Sequence, residues 1–329
     1  MSLRTFLADL FGPPAAIDPS LRGAMQRILD LVDPLLANVA GFERLLVAPV
    51  HHALGYCEGL VDALPGPLEV ERRAFATDPL VHALFATGND IDEMLGKSQA
   101  VRDYLDALES RTGDCFYGLF AARRREKHQL GLEMHGETVQ TDVPQTVLYF
   151  SDHTLTEPAA TLDGARTRLR AASFDSLLKT FRAHLDELRA ERDGVRSHLS
   201  AERAHLTALR FRGGGEEVVL QTRRIEALDL RLREVAGSLM PEAVVAALAE
   251  FLLKPEASLA LERCSIRVDR MGVLAHDGAD DPTADTLEFP ELISRDRRRY
   301  LVTLARVDCE EARRAVREAQ DRQRRYVII

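Results

Sequence analysis

The residues best suited to chemistry gather between His128 and His153. His128, His135, Asp142, Asp152 and His153 supply imidazole and carboxylate, the donors that suit zinc, iron or manganese. Neither an HExxH motif nor the His and Cys grouping of zinc deaminases occurs, and five polar residues over 26 positions of turn-rich chain arise readily by chance. They read as structural or surface side chains. A second combination, Cys57 with His51 and His52, which follow Pro49 at the start of an apparent helix, would offer a nucleophile and a base. Cys57 lies five and six residues from the histidines, off the i+3 and i+4 contacts that share a helix face. No catalytic residue, metal ligand or cofactor is therefore assigned.

Other polar groups resolve in the same way. Gly213, Gly214 and Gly215 lack the preceding strand and the Lys-Ser/Thr pair of a phosphate loop and read as a turn. The stretch His276 to Asp285 holds Asp277, Asp280, Asp281 and Asp285 without the spacing of a calcium loop, so it reads as a solvated acidic loop. Arg295, Arg297, Arg298 and Arg299, with Arg313, Arg314, Arg317, Arg322, Arg324 and Arg325, form the best basic patch. Acidic neighbours at helical spacing and few interleaved aromatics make it a salt-bridged surface rather than a nucleic-acid face. The terminal Tyr326, Val327, Ile328 and Ile329 pack on their own core or dock on a partner. Cys57, Cys115, Cys264 and Cys309 are dispersed with no CxxC pair, which predicts free core thiols.

The elements that would position such residues are more legible. Phe174, Leu178, Phe181, Leu185, Leu188, Arg192, Val195, Leu199, Glu202, Leu206 and Leu209 follow an unbroken 4-3 spacing. So do Val218, Gln221, Ile225, Leu228, Leu232, Val235 and Leu239 after the glycines. A period of 3.5 on both sides of three helix-breaking glycines predicts an antiparallel coiled-coil hairpin with its tip at 213–215. Leu209 falls opposite Val218, and Leu188 opposite Leu239. Pro241 interrupts the return helix, leaving a paired arm about 35 Å long at 1.5 Å per residue. Phe174 and Phe181 are placed at its root.

Around the hairpin, apolar residues at helical spacing from Ser20 to Ser110 predict four to six helices, one starting at Asp78-Pro79 and one at Asn89. Leu130, Leu132 and Met134 alternate, and Gln145 to Phe150 is β-branched and aromatic, so strands begin after Asp114, with Pro144 at a strand start and a turn at His135, Gly136 and Glu137. Cys264 to Val268, Val273 to Ala275, Leu287 to Ile293 and Tyr300 to Val307 supply a second β segment. Glu310 with Arg314 and Glu318 with Arg322 support a last helix. The predicted class is α+β: an N-terminal helical region (1–112), a first β segment (113–157), an inserted helical hairpin (158–255), a second β segment (256–308) and a C-terminal helix (309–329). Because a hairpin returns the chain to where it left, both β segments are expected in one small mixed or antiparallel sheet. Two separate α/β units are the alternative.

Composition narrows the function. The chain is 46% hydrophobic and 29% charged, as in a globular protein, and its net charge of -9 argues against binding nucleic acid or anionic membranes through net charge. Only four of its 43 basic residues are lysine, a bias that points to a GC-rich bacterial genome. Met1 to Phe11 hold one arginine and an apolar patch broken by Asp9, short of a secretory core, and no apolar run is long enough to span a bilayer, so the expected location is the cytoplasm. The expected role is an interaction or scaffold protein that binds a protein partner, or a second copy, through the hairpin. A metal-dependent hydrolase using the histidines of the first β segment and a nucleic-acid-associated factor using the C-terminal arginines are the alternatives.

Overall fold

In the computed structural model the described residues are 18–107, 113–135, 138–213, 215–269, 272–274, 284–294 and 298–326. Met1 to Phe11, Gly136, Glu137, Gly214, Asp277, Asp280, Asp281, Arg295, Arg297 and Val327 to Ile329 lie outside them, as do the side chains of His135, Arg325 and Tyr326.

Several of the early helices begin where a polar side chain can satisfy their free N–H groups. Helix α1 (Pro19–Leu31) starts at Asp18, which accepts from the Ser20 N–H at 2.9 Å. Asp33 caps a short 3-10 turn (Pro34–Asn38) before α2 (Phe42–Asp62). Pro49 lies inside α2 rather than near a helix start. Its ring removes the donor for the Leu45 carbonyl, and Leu45 is itself 49% exposed, so water can replace that bond. Helix α3 (Arg72–Thr77) leads to α4 (Pro79–Leu84), where the Asp78 carboxylate accepts from the N–H groups of Leu80 and Val81. Helix α5 (Gly88–Lys97) begins two residues earlier than a cap at Asn89 would place it. Thr87 is its cap, and Asp90 Oδ2 accepts from the Thr87 N–H at 2.7 Å, a capping box in place of a start at Asn89. Helix α6 (Gln99–Asp106) follows.

Both β segments build one sheet. Strands β2 (Cys115–His135) and β3 (Thr138–Ala159) form a long antiparallel pair, β4 (Leu259–Val268), β5 (Asp285–Ser294) and β6 (Arg299–Asp308) come from beyond the hairpin, and the order is β3-β2-β6-β5-β4. The join is the antiparallel ladder from Cys115 opposite Asp308 to Arg123 opposite Tyr300. A two-residue strand β1 (Leu68–Glu69) pairs in parallel with β6. Strand β3 carries one extra residue at each of three bulges, and Asp142, Asp152 and Glu157 take up the positive φ there (59°, 55° and 52°). Pro144 sits inside β3, opposite Leu130, not at a strand start. Thr146 and Leu148 direct their backbone groups to the outer edge of β3, toward Leu274 and Gly272, and by two-residue alternation so does the nitrogen of Pro144, where no ladder N–H is required.

Two compact units emerge: Met1–Tyr56 with Phe174–Pro255, and Cys57–Ser173 with Glu256–Ile329. In the second, Phe116, Phe120 and Ala122 of β2 and Leu301, Ala305 and Val307 of β6 pack with α3 to α6 and the C-terminal helix α10 (Cys309–Tyr326) on one sheet face. Leu119 and Leu304 meet Val61 and Leu169 in a separate cluster. Helix α5 crosses α10 closely: a Cβ on Gly96 would lie 2.7 Å from the Ala315 carbonyl. On α10, Arg313–Glu310 and Arg314–Glu311 are ion pairs three residues apart instead of four, while Arg322 Nε donates to the Glu318 carbonyl.

In the first unit, helix α7 (Leu162–Arg212) supplies the buried side chains Phe174, Leu177, Leu178, Phe181 and Leu185. Helix α8 (Gly215–Ser238) runs back and is followed by α9 (Pro241–Leu252), the break falling before Pro241. Among the described residues no single helix is long and apolar enough to cross a membrane. The pair α8 and α9 passes on length and composition together, but it is bent by 66° and buries Val244, Val245, Leu248 and Leu252.

Candidate functional site

The hairpin is the most regular constellation of side chains in the first unit. Gly213, at φ 77°, turns the chain out of α7 in a conformation that a Cβ would disfavour, and Gly215 opens α8. Leu199, Ile225 and Val235 are buried; Leu188, Val195, Leu206, Leu209, Val218, Leu228, Leu232 and Leu239 are half-buried.

The two polar residues expected to interrupt this seam meet each other. Gln221, 3% exposed, donates through Nε2 to the Glu202 carbonyl at 3.2 Å and also to the Glu202 carboxylate. That bond, with a smaller contribution from His198, holds the Glu202 carboxyl below the usual carboxylate range. On the flanks Arg203 Nη2 lies 2.9 Å from Asp229, and Arg231 Nη2 lies 2.5 Å from Glu191. At the root, Arg189 reaches Asp33 at 2.7 Å, Arg182 Nη1 donates to the Val32 carbonyl at 2.6 Å, Arg27 pairs with Asp175, and Phe181 and Phe251 lie 5.3 Å apart. Phe174 and Phe181 are each 2% exposed. Arg192 bonds its neighbour Asp193 instead of crossing the seam. Phe211, Val219, Leu220 and Leu230 point outward, exposed by 88, 52, 54 and 59%.

Of the histidines of the first β segment, His128 and His153 have described side chains, and each turns to a partner of its own. His128 is exposed, with Nδ1 3.0 Å from the Thr146 hydroxyl. The Asp152 carboxylate lies 3.8 Å from both Arg123 and Arg125. His153 sends Nε2 to the Leu84 carbonyl at 2.6 Å, which makes that nitrogen the donor, and stacks on Phe85 at 4.7 Å. Burial pushes the His153 pKa down, outweighing the Leu84 bond. Among the described residues no three His, Cys, Asp or Glu side chains are placed to hold a metal.

The cysteines are free thiols, and burial pushes Cys57, Cys264 and Cys309 upward, Cys57 to about 12, away from a nucleophilic thiolate. His51 and His52 are exposed on α2. Of the arginine patch, Arg299 bridges to Glu291 at 3.1 Å, Arg313 and Arg314 are paired as above, and Arg317, Arg322 and Arg324 are exposed.

Two features of the second unit have no counterpart in the sequence reading. Glu291 of β5 is 1% exposed and lies between Arg124 of β2, at 2.7 Å, and Arg299 of β6; Arg124 also reaches the Cys264 sulfur at 3.3 Å. All lone pairs of a buried carboxylate are best met this way, by guanidinium donors from two strands. A cleft of about 730 Å³ is lined by residues that include Phe75, Asp78, His82, Tyr149, Asp269 and Asp285. Asp78 is engaged as the α4 cap, and Asp269 accepts from the Val273 N–H at 2.8 Å, so both carboxylates serve the backbone.

Neither a protein-family model, nor a curated protein, nor a solved structure matches the chain.

Proposed function

We propose that the chain is a cytoplasmic interaction or scaffold protein whose helical hairpin, an antiparallel coiled coil, is its binding element. The observation that carries this reading is the outward apolar surface of a hairpin that already closes on itself. Its seam is filled and its flanks are tied by Arg203–Asp229 and Arg231–Glu191, yet Phe211, Val219 and Leu220 remain at least half exposed beside the tip. Isolated exposed apolar residues are ordinary, but three within ten residues of one helical turn-back point to a covered surface. Free thiols support a reducing compartment. A scaffold needs no activated nucleophile, and the raised thiol pKa values and the backbone duties of Asp78 and His153 accord with that.

The test is affinity capture from the native cell with the full chain and with a variant in which Leu188–Leu239 is replaced by a short Gly/Ser linker. A specific protein retained by the full chain and lost with the arm is the expected result. A partner retained equally by both would assign binding to another surface.

A further inference from the structure

The cleft of about 730 Å³ lies wholly within the second unit, lined by α3 and α4 on the helical side and by β3, the start of β5 and the turn after β4 on the sheet side. Its floor is core: Leu84, Phe85, Phe150 and Leu287 all line it, and each is buried. Phe75, held against His82 with ring centroids 4.9 Å apart, and Tyr149, 45% exposed, bring two further rings. The sheet side is fixed by the chain's own backbone. Leu148 donates to the Gly272 carbonyl at 2.8 Å, and Gly272, at φ 78°, packs so closely that a Cβ would lie 2.7 Å from the Leu148 carbonyl. Asp269 secures the same turn through the Val273 N–H. A preformed concavity of this size, with an apolar floor and few polar groups, is the usual build of a small-molecule site.

The polar groups of the cleft decide what it takes. Among the described residues that line it there is no arginine or lysine. The hydroxyl of Thr77 already donates to the Arg73 carbonyl at 3.3 Å, and His82 Nδ1 lies 3.3 Å from the Phe75 carbonyl. A carbonyl only accepts, so Nδ1 carries the proton and Nε2 of the neutral ring remains an acceptor. Asp78 caps α4 and Asp269 holds its turn, whereas Asp285, exposed at the start of β5 opposite Val268, serves no backbone group among the described residues. The walls therefore offer a ligand acceptors, negative charge and aromatic faces.

We infer that this cleft binds a small primary amine carried on an apolar body, with the ammonium group at Asp285 and the hydrocarbon part over Leu84, Phe85 and Leu287. An ammonium has three donors and no acceptor, the complement of walls whose donors are engaged. Its attraction to one carboxylate is stronger in a partly desolvated cleft than in bulk water, and the faces of Phe75 and Tyr149 favour a cation within about 6 Å. A carboxylate ligand of the same shape would meet Asp285 with no cation to offset it. The site lies in the sheet unit and is separate from the binding role proposed for the hairpin.

The test is a ligand-observed NMR titration of the full chain at pH 8 with probes that share a phenyl ring and a two-carbon tether: phenethylamine, 2-phenylethanol and 3-phenylpropionate. Phenethylamine should bind with a Kd of about 1 mM, at least about tenfold tighter than 3-phenylpropionate, with 2-phenylethanol between them. Asp285→Asn should weaken phenethylamine by about tenfold and leave 2-phenylethanol unchanged, and Tyr149→Ala should weaken phenethylamine by about threefold. Both positions are exposed, so the melting temperature should hold, and the ranking of the probes on the unsubstituted chain stands without either variant. No saturable binding of phenethylamine below about 10 mM, equal affinity for the amine and the carboxylate, or an amine affinity unmoved by Asp285→Asn would each overturn the inference. Capture of a protein by the hairpin is read separately from all of these.

Discussion

Gln221 in the hairpin and Glu291 in the sheet are both buried polar side chains, and the two regions hold them differently. Gln221 meets Glu202 across a two-helix seam, 19 residues away in sequence, with half-buried neighbours on either side. Glu291 meets Arg124, 167 residues away, and Arg299 inside a sheet whose strands come from both sides of the hairpin. Loss of Gln221 would leave a group that water can reach by local opening. Loss of Glu291 would take from Arg124, 16% exposed, its buried acceptor inside the sheet, leaving it Glu126 at 3.2 Å, while Arg299 is half exposed. The hairpin is thus a linear array of local contacts, and the sheet unit is a cooperative one.

The largest expected effect tests the cooperative side. Glu291→Ala should cost about 3–5 kcal/mol in urea unfolding of the sheet, because Arg124 loses its buried partner and keeps only the more exposed Glu126. A loss under about 1 kcal/mol would place the triad among solvent-screened pairs and erase the contrast.

Next comes the local side. Leu199→Asp should open the hairpin at a local cost of about 2–5 kcal/mol, and Leu228→Asp, at a half-buried position, should do so less strongly. Hydrogen exchange should then quicken across Leu188–Leu239 while β2 and β6 amides keep their protection. Replacing the whole segment with Gly/Ser should leave the sheet's melting temperature nearly unchanged, since loop closure costs rise slowly with length. Exchange that quickens in both regions together would abolish the distinction.

Smaller and of opposite sign, the double substitution Glu202→Leu with Gln221→Leu should stabilise the hairpin by about 1–2 kcal/mol, as apolar replacements of buried polar pairs often do. It should also loosen alignment, read as broader exchange at Arg203 and Asp229, because a polar pair in an apolar seam specifies register.

The smallest effect is a pH dependence at His153. Its folded pKa is depressed below the unfolded value near 6.5, so the unfolded chain binds the proton more readily. The stabilisation is fully present above that value and declines as pH falls through the window between the unfolded and the lower folded pKa. His153→Gln should flatten the melting temperature of the sheet unit across that window. An unchanged slope would assign the dependence elsewhere.

Parts of both regions were legible before any coordinates. The 4-3 spacing from Leu188 to Leu239 needs only helical geometry, and Asp78 before Pro79 needs only the chemistry of a helix start. Asn89 misled because Thr87 with Asp90 offers two reciprocal bonds, and Pro49 misled because one proline does not end a helix whose remaining face is buried. The bulges of β3 were hidden because acidic residues, not glycines, carry their positive φ. Arg124 and Glu291 carry no local signal at all: each reads as one charge among many until the sheet brings them within 2.7 Å.

By itself the sequence determined what depends on neighbours a few residues away: the α+β class, the two helices of the hairpin, the glycine turn and the dispersal of its thiols. Periodicity and capping act over one or two helical turns, so their signals survive in one dimension. Only the tertiary structure decided that Cys115–Arg123 would join Tyr300–Asp308 in one sheet, that His153 would turn to Leu84 and not to His128, and that Glu202 would find Gln221. Those outcomes depend on which buried polar groups can be satisfied at once, a condition on the whole packed core that no window of sequence contains.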